Sequence, residues 1–103
     1  SESPIVSSKD IVFIAAQKNY SDVHLANGQK HTISRTLNVF EMSLEKAGFL
    51  RIHRGFLINI EYVQSLSKTD GGGVVMNSGD FIPMGKSRRE SALQVLQKHF
   101  SFV

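Results

Sequence analysis

Cysteine and tryptophan are absent from the 103 residues, and proline occurs twice. Without cysteine there is no disulfide framework, thiolate metal site or thiol nucleophile, and a reducing compartment is permitted. No apolar run approaches the roughly eighteen residues that a membrane-spanning helix needs, so no membrane contact is expected of this segment. Ser1-Glu2-Ser3-Pro4 carries neither the basic nor the apolar region of a secretion signal. Serine at position 1 fits a segment excised from a longer chain, with residues 1–4 as a disordered or appended N-terminus and residues 5–103 as one domain. A chain of this size buries roughly two-thirds of its extended surface, enough for a core without staples.

Catalytic signatures are equally scarce. There is no Gly-x-Ser-x-Gly elbow, no His-Glu-x-x-His helix, and no Lys-Ser or Lys-Thr after the triple glycine 71–73 to make a phosphate loop. His53 has no neighbouring carboxylate in sequence to orient it, and a His24/His31 pair without a third ligand does not define a zinc site. The expectation is a protein without enzymatic activity, cofactor or metal.

What the chain does have is segregated charge. The net charge of +3 is modest, but Arg51, His53 and Arg54 form one cluster and Lys86, Arg88 and Arg89 another, while Glu41, Glu45, Glu61 and Asp70 lie elsewhere. The first cluster sits between two apolar runs, Phe49 to Ile52 and Phe56 to Ile60. A core cannot hold such cations unpaired, so the pattern suggests a sheet ending in a fan of donors for an anion. Phosphates or guanine edges suit such a fan. On composition alone, a solvated charged face explains it as well.

Periodicity supplies the rest of the outline. Ile11 to Ala16 is a short β-branched run that predicts a buried strand, residues 17–21 an exposed loop or edge, and Val23-His24-Leu25 a half-buried strand. Asn27-Gly28 marks a hairpin, for which a three-residue loop with a Gly bulge is expected to pair Val23 with Ile33 and to separate His24 from His31. Leu37, Phe40, Leu44 and Ala47 recur at helical spacing, with Thr36 or Asn38 as the cap and Gly48 at the left-handed end. Residues 62–66, 74–76 and 80–84 read as strands, the last an edge because Pro83 has no N–H to donate. Ser87 and Glu90 form a potential capping box before a helix over 88–99. Asn59, inside an apolar run, is expected to brace the core, since a buried amide needs partners.

Taken in order, Ile11 to Ala16 with Asn19-Tyr20, Asn27-Gly28, the 37–44 helix, Phe49 to Asn59 and Ser78 to Lys86 resemble a LytTR domain, the DNA-binding output domain of bacterial response regulators of the LytR/AlgR type. The similarity runs from about Ile5 to Phe100. Its most specific part is the pattern Phe-x-Arg-x-His-Arg-x-x-x-x-Asn, met by Phe49, Arg51, His53, Arg54 and Asn59. The resemblance implies a mainly β fold of elongated antiparallel sheets, with one short helix between strands and a C-terminal helix. It further implies a cytoplasmic transcription regulator whose loops enter successive major grooves of direct-repeat promoter DNA, with a dimer on those repeats and an N-terminal receiver or other sensory domain.

Carried over by position, the DNA-binding set is Lys18, Asn19, Tyr20 and Ser21 after the first strand, His53 and Arg54 at the corner, and Lys86, Ser87, Arg88 and Arg89 at the last helix. Base reading falls on Arg54, Lys86 and a residue of 19–21; Lys18, His53, Arg88 and Arg89 hold phosphates. The chain departs from the family in having Gly85-Lys86 where Ser-Arg is frequent, and Ala15 or Ala16 where an acid is frequent. The rival reading is a protein-interaction or small-anion-binding module using the same basic patch.

Overall fold

The computed structural model describes residues 5–100, and at position 70 the backbone alone; the expected disorder of residues 1–4 lies outside the described residues. A five-stranded antiparallel sheet forms the body. It is built from β1 (Ile11–Gln17), β2 (Tyr20–Leu25), β3 (Lys30–Ile33), β4 (Phe49–His53) and β5 (Phe56–Asn59) in the order β3-β2-β1-β5-β4. Helix α1 (Leu37–Ser43) lies between β3 and β4 in sequence. A three-stranded sheet of β6 (Val63–Ser67), β7 (Gly73–Met76) and β8 (Phe81–Pro83) follows, and then α2 (Arg89–His99). The molecule measures 47 × 25 × 25 Å, an elongated, mainly β shape as the resemblance implies.

The central sheet is buried on both faces, which is why its strands read as continuous apolar runs instead of alternating ones. One face packs Ile11, Ile14, Val23, Phe49 and Leu57 against Leu37 of α1. The other packs Val12, Phe13, Ile52 and Ile58 against Val74, Met76 and Ile82 of the small sheet and Ala92 and Leu96 of α2. Val12 and Phe13 share a face although adjacent, because the β1–β2 register slips between Ile11 and Phe13; a bulge gives two consecutive residues one side.

Asn59 is 4% exposed and braces the core as expected: its amide donates to the Ile11 carbonyl at 2.9 Å and accepts from the Glu61 N–H at 3.1 Å. Pro83 sits on the edge strand of the small sheet. Gly73 is buried at the start of β7, where a Cβ would come within 2.4 Å of the Ile82 carbonyl oxygen, so that position in the triple glycine is dictated by close approach of two strands.

Local expectations needed correction at four places. The β2–β3 hairpin does have a three-residue loop, closed by the Leu25 N–H to the Gln29 carbonyl at 2.9 Å. The loop lies one residue earlier than expected, so Val23 pairs with His31, and Ile33 with Ser21. The apolar residues keep a common face, and a two-residue slip does not disturb that constraint; His24 opposes Lys30, apart from His31. The helix expected to reach Gly48 is α-helical only to Ser43, then tightens to a 3-10 turn over Glu45–Ala47 before Gly48 at φ +83°. Tyr62 belongs to a 3-10 turn with Asn59 at its cap, not to β6. The Ser87–Glu90 capping box does not form: Lys86–Arg88 is itself a 3-10 turn and Arg88 occupies the cap of α2 without a side-chain bond.

Candidate nucleic-acid interface

Two hairpin tips lie side by side at one end of the central sheet. The first, Lys18-Asn19, joins β1 to β2 in a two-residue turn with Gln17 opposite Tyr20. Lys18 adopts φ +54°, the left-handed conformation such tight hairpins demand. The second tip, Arg54-Gly55, joins β4 to β5. The Ala16 N–H donates to the Gly55 carbonyl at 2.9 Å, tying the tips together. Since β1 and β5 are direct neighbours, the two tips are separated by about 10 Å, two strand spacings.

Residues 85–88 extend this row beyond β4. The Gly85 N–H donates to the Ile52 carbonyl at 2.7 Å, which seats the turn leading into α2 against the corner. His53, Arg54, Gly85, Lys86, Ser87 and Arg88 together line an open cleft of ≈ 550 Å³. Arg54, Lys86 and Ser87 are exposed, whereas His53 and Arg88 are half-buried. Thus the two cationic clusters, separated by some thirty positions in sequence, become the walls of one depression.

The corner is held from several sides. Besides the bonds to the Ile52 and Gly55 carbonyls, the Arg51 side chain donates to the His53 carbonyl at 2.9 Å and to the Arg54 carbonyl. Its other nitrogen donates to Asn38 at 2.9 Å and Glu41 at 2.8 Å, both from α1. Strand alternation would place Arg51 and His53 on one side. The β4–β5 register slips between them, however, with Arg51 opposite Leu57 and His53 opposite Phe56. The His53 ring therefore packs at 5.4 Å from that of Phe56 on the other face. Its Nδ1 accepts from the Gly55 N–H at 3.0 Å, so in this arrangement the ring proton belongs on Nε2.

Of the residues singled out by sequence, Lys18, Asn19 and Tyr20 are exposed on the first tip. Ser21 is fully buried and its hydroxyl donates to the Arg35 carbonyl at 2.7 Å, so it supports the hairpin base instead of presenting a group to a ligand. Arg89 is half-buried and lies outside the cleft. Its Nε is buried without a hydrogen-bond partner among the described residues, and a Cβ on Gly71 would stand 3.1 Å from its Nη2, so its side chain packs between α2 and the 71–72 turn. Sequence reasoning missed Ala16 and Gly85 as the backbone donors that seat the corner. No side-chain signal marks them, because a backbone N–H is carried by every residue but proline.

An antiparallel sheet that projects two adjacent cationic tips and a cationic turn, with no carboxylate among the described residues lining the cleft between the last two, has the charge that suits a polyanion. The chain matches the model of the LytTr DNA-binding domain over residues 2–97, and it belongs to that family. It is a DNA-binding domain homologous to those of transcription regulators. Sensory transduction protein LytT of Bacillus subtilis is 28% identical over 94 residues, covering 89% of this chain and 39% of that protein. Sensory transduction protein LytR of Streptococcus agalactiae is 32% identical over 88 residues, covering 82% and 35%. The CO-responsive transcriptional regulator RcoM of Rhodospirillum rubrum is 28% identical over 86 residues, covering 81% and 36%. The chain thus spans less than two-fifths of these relatives. In structure it is similar to the LytTr DNA-binding domain of a methyl-accepting/DNA response regulator from Bacillus cereus, with TM-score 0.77 and 22% identity over 89% of this chain and 84% of that one.

Proposed function

We propose that this domain recognises specific promoter DNA by inserting the Lys18-Asn19-Tyr20 tip and the His53–Arg54/Lys86–Arg88 cleft into successive major grooves on one side of the duplex. The observation that carries the proposal is the convergence of Arg54, Lys86 and Arg88 on one cleft at the sheet end that also bears the Lys18 tip. Arg54 reads guanine with its planar fork and Lys86 reads as a point charge, with a residue of the 19–20 pair at the first groove. Lys18, Arg88 and the Nε2–H of His53 hold phosphates. Ser21 is left out of the contact set because it is buried, and Arg89 because it lies outside the cleft with its Nε turned inward.

The domain acts without catalysis, in the cytoplasm, as the output module of a longer regulator whose other part is a receiver or sensory domain. Two copies occupy a direct repeat. Among the described residues no helix is long and apolar enough to cross a membrane, which is consistent with that setting.

The test compares Arg54→Ala and Arg88→Ala on a selected duplex and on a scrambled one. Arg54→Ala is expected to cost about 1–3 kcal/mol on the selected site and to relax preference at particular base pairs. Arg88→Ala should weaken both duplexes alike and reduce the salt slope by about 0.9, the contribution of one phosphate. Uniform, equal losses for both variants would reject the roles assigned. Selection from a random duplex pool that returned no spaced repeat would reject the direct-repeat mode.

A further inference from the structure

Arg51 belongs to the cationic cluster of the recognition motif, yet its side chain is only 9% exposed. It is therefore not available to a duplex as the neighbouring Arg54 is. Its guanidinium instead spans two elements: Nε and Nη2 face the carbonyls of His53 and Arg54, and Nη1 faces Asn38 and Glu41 of α1. These carbonyls lie at the end of β4 and in the tip, between the Ile52 and Gly55 carbonyls that the Gly85 and Ala16 N–H groups serve. The slip in register falls at Ile52, whose carbonyl takes the Gly85 N–H, and beyond it His53 pairs with Phe56; the Arg51 guanidinium adds a side-chain hold on the two carbonyls that follow the bulge.

We infer that Arg51 is a positioning residue for DNA recognition: it clamps the 53–54 carbonyls to α1 and so fixes the direction in which Arg54 projects. The inference rests on the assignment of Arg54 as a base-reading side chain. The fork is essential, because two carbonyls and two α1 acceptors are met at once by one planar group, whereas a lysine ammonium offers three donors from a single point. Glu41 makes the anchor charge-assisted, which strengthens both hydrogen bonding and geometry. Helix α1 thereby becomes part of the recognition site although it contributes no DNA contact of its own.

The experiment uses the whole chain, a selected duplex and a scrambled duplex, with Arg51→Lys, Glu41→Ala, Arg54→Ala and the double variant Arg51→Lys/Arg54→Ala. Arg51→Lys is expected to reduce the ratio of specific to scrambled affinity about tenfold, within the range of one base contact, while scrambled affinity stays within about twofold because the cation is kept. Glu41→Ala should act in the same direction by about threefold, as a part-exposed ion pair would. The double variant should discriminate no worse than Arg54→Ala alone, since two residues acting through one contact are not additive. Independently of DNA, amide NMR shifts of His53, Arg54 and Gly55 should move in Arg51→Lys while those of residues 21–25 stay in place.

Equal losses on both duplexes would identify Arg51 as a phosphate contact and overturn the inference. So would unchanged corner shifts, or multiplicative losses in the double variant. If Arg54→Ala leaves discrimination intact while the corner shifts still move in Arg51→Lys, the base-reading assignment fails and the positioning of the corner stands.

Discussion

Asn59 offers the sharpest test of how the central sheet is held at the end away from the tips. Its side chain is almost fully buried, donates to the Ile11 carbonyl at 2.9 Å, approaches the Ser8 carbonyl at 3.5 Å and accepts from the Glu61 N–H at 3.1 Å. Truncation by Asn59→Ala removes the partner of the buried Ile11 carbonyl and of the partly exposed Glu61 N–H. The buried carbonyl left unsatisfied costs about 1–3 kcal/mol and the partly exposed N–H about 1 kcal/mol, so a total of about 2–4 kcal/mol is expected. That is a large fraction of the roughly 5–15 kcal/mol that stabilises a domain, and it corresponds to a fall in Tm of about 10 °C or more. Urea denaturation followed by circular dichroism measures it.

The isosteric Asn59→Asp separates the lost donor from the lost volume. A carboxylate still accepts from Glu61 but faces the Ile11 carbonyl with no proton. Burial and that carbonyl both raise its folded pKa above the unfolded value of about 3.9. The native state then binds the proton more tightly, so the variant gains stability relative to wild type as pH falls through the raised value, until the unfolded value is passed. Asn59→Ala within about 0.5 kcal/mol of wild type, or a flat pH response for Asn59→Asp, would refute the bracing role.

Burial holds the His24 imidazole below its ordinary value of 6.5, against the opposing pull of the Asp80 and Asp22 carboxylates and with the help of Lys30. The unfolded chain therefore takes up the proton first. Stability is full above 6.5 and declines as pH falls toward the depressed folded value, a decline that His24→Phe should flatten in urea titrations between about pH 7 and 5; an unaltered slope would refute it. Gly73→Ala drives a Cβ to 2.4 Å from the Ile82 carbonyl and 2.7 Å from the Phe81 ring, and a loss of about 1–3 kcal/mol in the same assay is expected. Lys18→Gly relieves the left-handed backbone at φ +54° by up to about 1 kcal/mol and removes a tip cation. Melting temperature should rise while DNA affinity falls, and parallel changes in the two would contradict the phosphate role of Lys18.

Legibility in the sequence followed the range of the interaction responsible. The 11–16 run, the helical spacing of Leu37, Phe40 and Leu44, the left-handed Gly48 and the edge position of Pro83 depend on neighbours within a few residues, and all appear in the fold. The brace at Asn59 was legible because an amide in an apolar run has few alternatives. The motif from Phe49 to Asn59, with the strands around it, also placed the chain in its family. By contrast, the inward turn of Ser21 depended on which carbonyl lay beside it, and that carbonyl belongs to Arg35. The failed capping box had a competitor that pattern does not weigh, a 3-10 turn drawn tight by the Arg88 N–H to the Gly85 carbonyl.

The sequence by itself determined the strands and helices, the apolar content of both sheet faces and the presence of two cationic clusters, since these follow from residue type and local period. Only the tertiary structure decided which side each charge occupies. Alternation has a period of two residues, and one bulge at Ile52 reverses it, sending His53 to the cleft and leaving Arg51 on the α1 face. The joining of the clusters likewise rests on a backbone bond from Gly85 to Ile52, which ties the segment between the small sheet and α2 to the central sheet across more than thirty positions of sequence.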